Sequence, residues 1–241
     1  DREVKTAISS EIEVKILKAV TDALPECSAL LISDYAKGVC TPGMLDLVIK
    51  RARAAGLPVI ADPASSGDYK IYSGATAITP NRLETSLATE IEVESIEDAH
   101  RAGEVLCEKL NLDYAFVTID SDGIVAVRND GSWAHHPTRK REVYDITGAG
   151  DMVLAMIGVG AAAGYSPDDL AKLANVAGGL EVEQIGVVTI KRDEIIGDLL
   201  SGNRGTGGKV FELPQLGRQV DARRRLGQKV VLTNGCFDVL H

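Results

Sequence analysis

The chain has 241 residues, of which 45% are hydrophobic and 25% charged, and its formal net charge is −9 at pH 7. These values are typical of a globular protein with one sizeable core, and they disfavour nonspecific binding to nucleic acid or to an anionic membrane. No apolar run in the sequence is long enough to cross a bilayer, so we expect neither nucleic acid nor a membrane as a partner. The cysteines show no metal-type spacing, which favours reduced thiols in a cytoplasmic protein; they are Cys27, Cys40, Cys107 and Cys236.

Strand and helix signals alternate along the first half of the chain. Apolar runs at 28–34, 57–62 and 75–79 predict strands. Thr41 followed by Pro42 marks the start of a helix after the first strand, and Ser95 marks the start of a helix after the third.

The second half continues this alternation. Residues 114–119 predict a strand, and residues 124–127 and 132–135, separated by turn residues, predict a hairpin. Helices are expected to begin after Gly148 and after Ser166. The pattern indicates an α/β protein with a mostly parallel sheet and helices on both faces. Ligands of such sheets bind beyond the carboxyl ends of the strands.

The stretch from Asp145 to Asp151, DITGAGD, joins a turn of small residues to two carboxylates. Gly148, Ala149 and Gly150 leave backbone N–H groups uncovered where a helix begins, and the positive end of a helix dipole is suited to bind an anion. Asp151 would stand at the edge of that anion site, where it can accept a proton from an attacking hydroxyl. A strand-to-helix turn without a catalytic role is the plain alternative.

Two other phosphate-binding motifs are excluded by spacing. A dinucleotide fingerprint requires a third glycine, but Val153 stands three places after Gly150. A P-loop requires Gly-Lys followed by Ser or Thr, but the pair Gly208-Lys209 is followed by Val210.

A second polar motif, Asn81-Arg82-Leu83-Glu84, follows the strand predicted at 75–79. Asn81 can cap a helix there, with Glu84 as its capping-box partner. In this order the two motifs resemble the N-x-x-E and D-T-x-G-A-G-D signatures of the ribokinase-type (PfkB) sugar kinases. The resemblance covers roughly residues 1–200, and it implies a ribokinase-like fold whose N-terminal part is missing.

The resemblance also implies roles for individual residues. Asp151 would be the catalytic base, Glu84 would hold Mg²⁺ through water, and Asp145 would help to hold a monovalent cation such as K⁺. Asp120 stands where the family more often has glycine. The residues implied in ATP binding are Asn81, Arg82, Leu83, Glu84, Asp120, Gly123, Gly148, Ala149, Gly150 and Asn175.

One lysine is a candidate for a second phosphate. Lys37 follows the strand at 28–34 in the stretch SDYAKG, and it could pair with a phosphate group already on the sugar. A solvent-facing loop lysine is the alternative.

The last forty residues differ in character from the rest. Residues 201–227 read as a linker that includes a basic helix from Arg218, and Lys229 to Thr233 predict a strand. The end, NGCFDVLH, resembles the start of a nucleotidyltransferase domain of the cytidylyltransferase type. The residues that carry this resemblance are Gly235, Phe237, Asp238 and His241. We expect domains at 1–200 and 228–241, both truncated.

The order of the two resemblances is that of the bifunctional heptose enzymes of bacterial lipopolysaccharide-core synthesis. The implied activity is ATP-dependent phosphorylation of D-glycero-β-D-manno-heptose 7-phosphate to the 1,7-bisphosphate, with an adenylyltransferase cut off at the end of the chain. The implied partners are ATP, a phosphorylated heptose and, for the full-length protein, a second copy as a homodimer. The alternatives are another ribokinase-type kinase for a sugar or nucleoside, and a nucleotide-binding module without catalysis.

Overall fold

The computed structural model describes residues 5–65, 68–139, 143–186, 188–201, 213–225, 227 and 229–232. The chain divides into two compact units, 1–190 and 191–241. All six strands of the described sheet lie in the first unit. The described residues of the second unit include the helices α7 (Arg192–Ser201) and α8 (Leu213–Arg225).

The first unit alternates strands and helices as predicted. Its strands are β1 (Leu30–Ser33), β2 (Val59–Asp62), β3 (Ala77–Ile78), β4 (Tyr114–Thr118), β5 (Ile124–Arg128) and β6 (Trp133–His136). Its helices are α1 (Ser10–Ala23), α2 (Pro42–Ala54), α3 (Arg82–Thr89), α4 (Ile96–Leu110), α5 (Ala149–Ala162) and α6 (Pro167–Glu181).

The strands form one sheet in the order β1-β2-β3-β4-β5-β6. Neighbours from β1 to β4 are parallel, so their carboxyl ends lie along one edge of the sheet. The hairpin β5-β6 adds two antiparallel strands, with Phe116 opposite Ala126. The prediction of a mostly parallel sheet is therefore confirmed.

Both faces of the sheet are covered by helices because its central strands are apolar on both sides. In β2, Val59 and Ala61 pack into the core with α2 and α4, whereas Ile60 packs into the core with α5 and α6. The hairpin alternates in the same way: Val125 and Val127 lie on the α4 side, and Ile124 and Ala126 lie on the α5–α6 side.

Three predicted helix starts are confirmed by their caps. The side chain of Thr41 accepts a hydrogen bond from Met44 N, and Ser166 accepts one from Asp169 N. Ser95 forms a capping box with Asp98. Each cap satisfies an N–H group that has no partner inside its helix, which is why the helix begins there.

The structure differs from the predictions at both ends of the chain. Helix α1 was not predicted; none of its residues is fully buried, but Ile16, Leu17 and Val20 pack against the core. The strand expected at 229–233 is wrong for residues 229–232, which have no regular structure and whose side chains are exposed. A strand needs neighbouring strands to satisfy its backbone, and none pairs with these four residues. Gly235, Phe237, Asp238 and His241 lie outside the described residues.

Candidate active site

The carboxyl edge of the sheet gathers polar residues from separate parts of the sequence. Asp34 follows β1, Asp62 ends β2, and Asn81 follows β3 and forms a parallel bridge with Thr118 at the end of β4. Helix α5 begins at the same edge: a Cβ added at Gly150 would lie 3.8 Å from Asp62 Oδ2.

The start of α5 has the geometry of an anion site. Gly148 precedes the helix with a φ of +94°, a conformation that side chains disfavour, and no side chain caps the helix. Of the N–H groups at this helix start, that of Ala149 donates to Ile146 O at 3.4 Å, and those of Gly150 and Asp151 lie in the first turn, where a helix supplies no acceptor of its own. The helix begins directly after Gly148, as the sequence predicted, so Gly148, Ala149 and Gly150 lie together at its start.

Asp151 lies in the first turn of α5 and is contacted from β1. Tyr35 Oη donates a hydrogen bond to Asp151 Oδ2 at 2.6 Å, and Ser33 Oγ donates one to Oδ1 at 3.2 Å. Asp151 is exposed, so it is open to a hydroxyl group arriving from solvent. The sequence did not indicate Ser33 or Tyr35 as neighbours of Asp151.

Asn81 and Glu84 form the capping box that the sequence predicted for α3. Asn81 Oδ1 accepts from Glu84 N at 3.0 Å, and Glu84 Oε2 accepts from Asn81 N at 2.8 Å. Glu84 is 7% exposed, and its other oxygen accepts from Ser65 Oγ at 2.8 Å. The cap holds the Glu84 carboxylate rigidly, so a structural and a metal-binding role are compatible.

Asp62 is a site residue that the sequence analysis missed. Burial raises its pKa to about 6, and the nearby carboxylates of Glu84 and Asp151 add to this effect, although a hydrogen bond from Thr79 Oγ1 at 2.7 Å opposes it. Three carboxylates therefore lie close together at the sheet edge. The sequence signal that could have indicated Asp62 is its position as an acidic residue at the end of an apolar strand, similar to the position of Asp34 after β1.

Arg82 joins the start of α3 to the turn after β4. Its guanidinium contacts Asp120 at 2.8 Å and Asp122 at 3.0 Å, and it donates to the carbonyl oxygens of Val93 and Ile119. Asp120 has a φ of +54°, in the region that glycine adopts most easily. Arg82 therefore supports the turn predicted to contact ATP, and the neighbouring Leu83 is 62% exposed.

Gly123 and Asn175 lie on either side of the segment that follows β6. A Cβ on Gly123 would come within 2.1 Å of His136 O, and the φ of Gly123 is +102°. The side-chain nitrogen of Asn175 donates to His136 O and Pro137 O, and its oxygen accepts from Thr138 Oγ1. In this structure both residues brace the end of the hairpin.

Asp145 ties the turn before α5 to the loop after α6. Its carboxylate accepts from Thr147 N at 2.9 Å and from Gly186 N at 3.1 Å, and these bonds lower its pKa. Glu181, at the end of α6, is 1% exposed, and neither of its carboxylate oxygens has a hydrogen-bond partner within the described chain. Burial raises the pKa of Glu181, and the charges of Asp145 and Asp151 raise it further.

Glu181 was not predicted, because it interrupts an apolar helical pattern without belonging to any motif. Lys37 lies in the loop after β1 and is exposed. That loop also carries Tyr35, which contacts Asp151.

The residues at the sheet edge suit a hydrated magnesium ion better than a dehydrated metal. Over the described ranges, no three His, Cys, Asp or Glu side chains are arranged to coordinate one ion directly. Asp62 and Glu84 supply the hard oxygen atoms that Mg²⁺ prefers, and Mg²⁺ normally keeps several waters and binds through one or two carboxylates and substrate phosphates.

Known proteins match this chain along its length. The profile of the pfkB family of carbohydrate kinases matches residues 5–193. Two relatives named bifunctional protein HldE, from Geotalea uraniireducens and Geobacter sulfurreducens, are 40% and 41% identical over 241 residues, and the alignment covers 100% of this chain and 49% of each relative. The chain thus spans about half the length of the curated relatives that it matches.

Solved structures show the same fold. Phosphofructokinase-2 from Escherichia coli in complex with potassium superposes with a TM-score of 0.71 at 17% identity, covering 82% of this chain and 64% of that one. Ribokinase from Arabidopsis thaliana complexed with ribose and ATP gives a TM-score of 0.65 at 21% identity, covering 81% and 61%. No helix in the described part of the chain is both long and apolar enough to cross a membrane. With the family profile matched over most of its residues and the ribokinase-like fold in place, the chain belongs to the pfkB family of carbohydrate kinases.

Proposed function

We propose that this chain transfers the γ-phosphoryl group of ATP to a hydroxyl of a phosphorylated sugar, with Asp151 as the general base. The observation that carries the proposal is the position of Asp151 in the first turn of an uncapped helix, at the sheet edge that also holds Glu84 and Asp62. A proton acceptor and a phosphoryl cradle therefore share one helix start.

The chain's own residues divide the reaction between them. Asp151 accepts the proton of the sugar hydroxyl while that oxygen forms a bond to the γ-phosphorus and the bond from phosphorus to the ADP oxygen breaks. The N–H groups at Gly148, Ala149 and Gly150 hold the oxygens of the transferred group, at positions fixed by helix α5, and Ala149 N exchanges its bond to Ile146 O for one to the phosphoryl group. Arg82, Asp120 and Gly123 shape the turn beside the nucleotide, and Asn81, Leu83 and Asn175 complete our proposed ATP site.

Magnesium belongs to this proposal as a companion of ATP. Glu84 and Asp62 would hold it through water, and their oxygen donors match its preference. When bound, the ion neutralises charge on the β- and γ-phosphates. Glu84 is suited to this task because two hydrogen bonds already fix its carboxylate.

A monovalent cation beside Asp145 is a further part of the proposal. Asp145 and Glu181 place two carboxyl groups near the turn before α5, and Glu181 has no hydrogen-bond partner for its carboxyl oxygens among the described residues. A buried charge without compensation is costly, and a cation would supply that compensation. We expect K⁺ to stimulate the kinase relative to Na⁺, and we expect Asp145→Asn to weaken that stimulation. Equal kinase activity in K⁺ and in Na⁺ would contradict the proposed cation site beside Asp145.

The sugar is proposed to be D-glycero-β-D-manno-heptose 7-phosphate, phosphorylated at O1. Support comes from the likeness to bifunctional proteins over the whole chain and from the SDYAKG loop, where Lys37 could pair with the 7-phosphate. We expect Lys37→Met to raise the KM of the sugar phosphate while the KM of ATP stays unchanged. Ribose and fructose 6-phosphate serve as competing substrates in the same assay.

Three properties concern the protein as a whole and remain proposals. We propose an adenylyltransferase activity that involves Gly235, Phe237, Asp238 and His241, a homodimer, and a location in the bacterial cytoplasm. Sedimentation of the intact protein tests the dimer. Assay of the 241-residue chain tests whether it adenylylates heptose 1-phosphate, which we do not expect.

The decisive experiment is Asp151→Asn in the intact protein. Asparagine preserves the shape and can still accept a hydrogen bond from Tyr35 or Ser33, but it cannot take the proton. We expect turnover to fall on the order of 100-fold or more, the scale of a general base, while ATP affinity changes little because backbone groups bind the phosphates. If the Asp151→Asn variant folds and keeps nearly full activity, Asp151 is not the general base. If the wild-type protein shows no sugar-dependent turnover of ATP, a noncatalytic nucleotide-binding module is favoured.

A further inference from the structure

We propose that Tyr35 is a positioning residue for Asp151, holding its carboxylate in the orientation that accepts the proton of the sugar hydroxyl. This inference rests on the proposed kinase function. Its basis is the pair of hydrogen bonds that reach Asp151 from the end of β1, from Tyr35 Oη at 2.6 Å and from Ser33 Oγ at 3.2 Å. The two donors contact different oxygens of the carboxylate, so together they restrain its rotation.

Strand geometry explains how two residues of one segment reach the same carboxylate. Side chains at positions i and i+2 of an extended segment lie on one side, and the residue between them lies on the other. Ser33 and Tyr35 therefore both meet Asp151. Asp34, between them, instead accepts a hydrogen bond from Tyr72 Oη at 2.7 Å.

The loop that carries Tyr35 is held from behind. Asp34 Oδ1 accepts from Ala36 N at 2.9 Å, which stabilises Ala36 at a φ of +53°. Tyr72 is 2% exposed and is itself fixed by a hydrogen bond from Ala64 N. Further along the loop, Gly38 O accepts from Ile8 N at 2.9 Å. Tyr35 thus approaches Asp151 from a braced backbone, as a positioning role requires.

The contact leaves Asp151 able to act as a base. An ionised carboxylate has about four acceptor positions, and Tyr35 and Ser33 use two of them. The sugar hydroxyl can donate to a third, and its proton then moves to Asp151 while Tyr35 keeps its own proton. Hydrogen bonding to Asp151 is also the main reason that the pKa of Tyr35 is raised, so the phenol stays protonated at neutral pH.

The test compares Tyr35→Phe with Tyr165→Phe in the intact protein. Tyr165 is also exposed, at 55%, but it lies in the turn between α5 and α6 and has no contact with Asp151 among those described. For Tyr35→Phe we expect kcat to fall about tenfold, the cost of one hydrogen bond to a charged group, with both KM values within about twofold of wild type. Tyr165→Phe should match wild type in each measurement.

A second measurement does not depend on activity. In protein with ring-labelled tyrosine, the Tyr35 signal should titrate at lower pH in Asp151→Asn than in wild type, because the negative charge beside the phenol is gone. An unchanged titration, or an unchanged kcat for Tyr35→Phe in an active enzyme, would overturn the inference. If the wild-type protein shows no kinase activity, the proposed function fails, while the titration still decides whether the contact exists.

Discussion

At the scale of single residues, the site depends on carboxylates in unlike surroundings. Asp151 is exposed and receives two hydroxyl donors, whereas Glu84 is buried in a capping box and Asp62 is half-buried near both. A carboxylate can therefore serve as a proton acceptor at one position and order a metal ion at another, because its surroundings determine its mobility and its protonation state.

Asp62→Asn should stabilise the protein when no metal is present. The pKa of Asp62 is raised from 3.8 to about 6 in the folded state, so its contribution to stability is complete below about pH 4 and is lost as the pH rises through 6. At 1.36 kcal/mol per unit, the loss is about 3 kcal/mol at most. We expect a higher melting temperature for Asp62→Asn at pH 7.5 in a chelating buffer, with a difference that shrinks toward pH 4. A less stable variant at pH 7.5 would contradict the argument.

Glu84→Gln should raise the Mg²⁺ concentration needed for half-maximal activity. Glutamine can still accept from Asn81 N, so the cap and the fold are retained, but the negative charge is lost. Groups that order a metal through other ligands typically contribute 10–100-fold in metal affinity, and we expect a change of about tenfold. Glu97→Gln, in the first turn of α4, is the matched control. An unchanged Mg²⁺ requirement would remove Glu84 from the metal site.

At the scale of elements, Arg82 links two segments that both border the proposed ATP site. Arg82→Met removes two ion pairs and frees Asp120 from its left-handed conformation, so we expect the KM of ATP to rise about fivefold, equivalent to about 1 kcal/mol, with a smaller change in kcat. Adding Asp120→Gly should recover part of the loss because glycine adopts that conformation without strain.

The control for Arg82 is a second ion pair of similar geometry. Arg53 contacts Asp113 at 2.8 Å beside α2, away from the nucleotide turn. Arg53→Met should therefore change stability and leave the KM of ATP unaltered. If Arg82→Met and Arg53→Met behave alike in the ATP titration, Arg82 has no specific role there.

The packing of α4 on the hairpin offers a prediction about stability alone. A Cβ added at Gly103 would lie 2.6 Å from Val127 Cγ2, and Val127 is fully buried and has a stiff, branched side chain. We expect Gly103→Ala to destabilise the fold by about 1–3 kcal/mol in chemical unfolding. Gly43→Ala in α2 meets only Glu13 Oε1, at 3.6 Å, and should be neutral or slightly stabilising. Equal stability of the two variants would show that the helix can shift away from β5.

At the scale of the whole molecule, the order of strands decides which residues can act together. Because β1 to β4 are parallel neighbours, the segments after them meet at one edge, although Ser33 and Asp151 are 118 residues apart in sequence. The division at residue 190 places all of these groups in the first unit. The proposed chemistry therefore depends on a single sheet and on the helices that cover it.

Most of the strands and helix caps could be predicted from the local sequence. The strands β1 to β6, the caps at Thr41, Ser95 and Ser166, and the capping box of Asn81 and Glu84 follow from periodicity and from side chains that satisfy nearby backbone groups. The turn at Gly148 could likewise be predicted from a few adjacent small residues. Helix α1 was not predicted, although its apolar residues Ile12, Ile16 and Val20 recur at helical spacing.

The sequence by itself determined the family, the α/β architecture and the two motifs, because these depend on neighbours only a few residues apart. Only the tertiary structure decided which side chains meet: Tyr35 with Asp151, Arg82 with Asp120, and Asp62 with Glu84 and Asp151. It also decided that Glu181 is buried with no hydrogen-bond partner for its carboxyl group in the part of the chain that the structure describes. Such contacts and the pKa shifts that follow from them arise from burial and distance between remote segments, and no local pattern encodes either quantity.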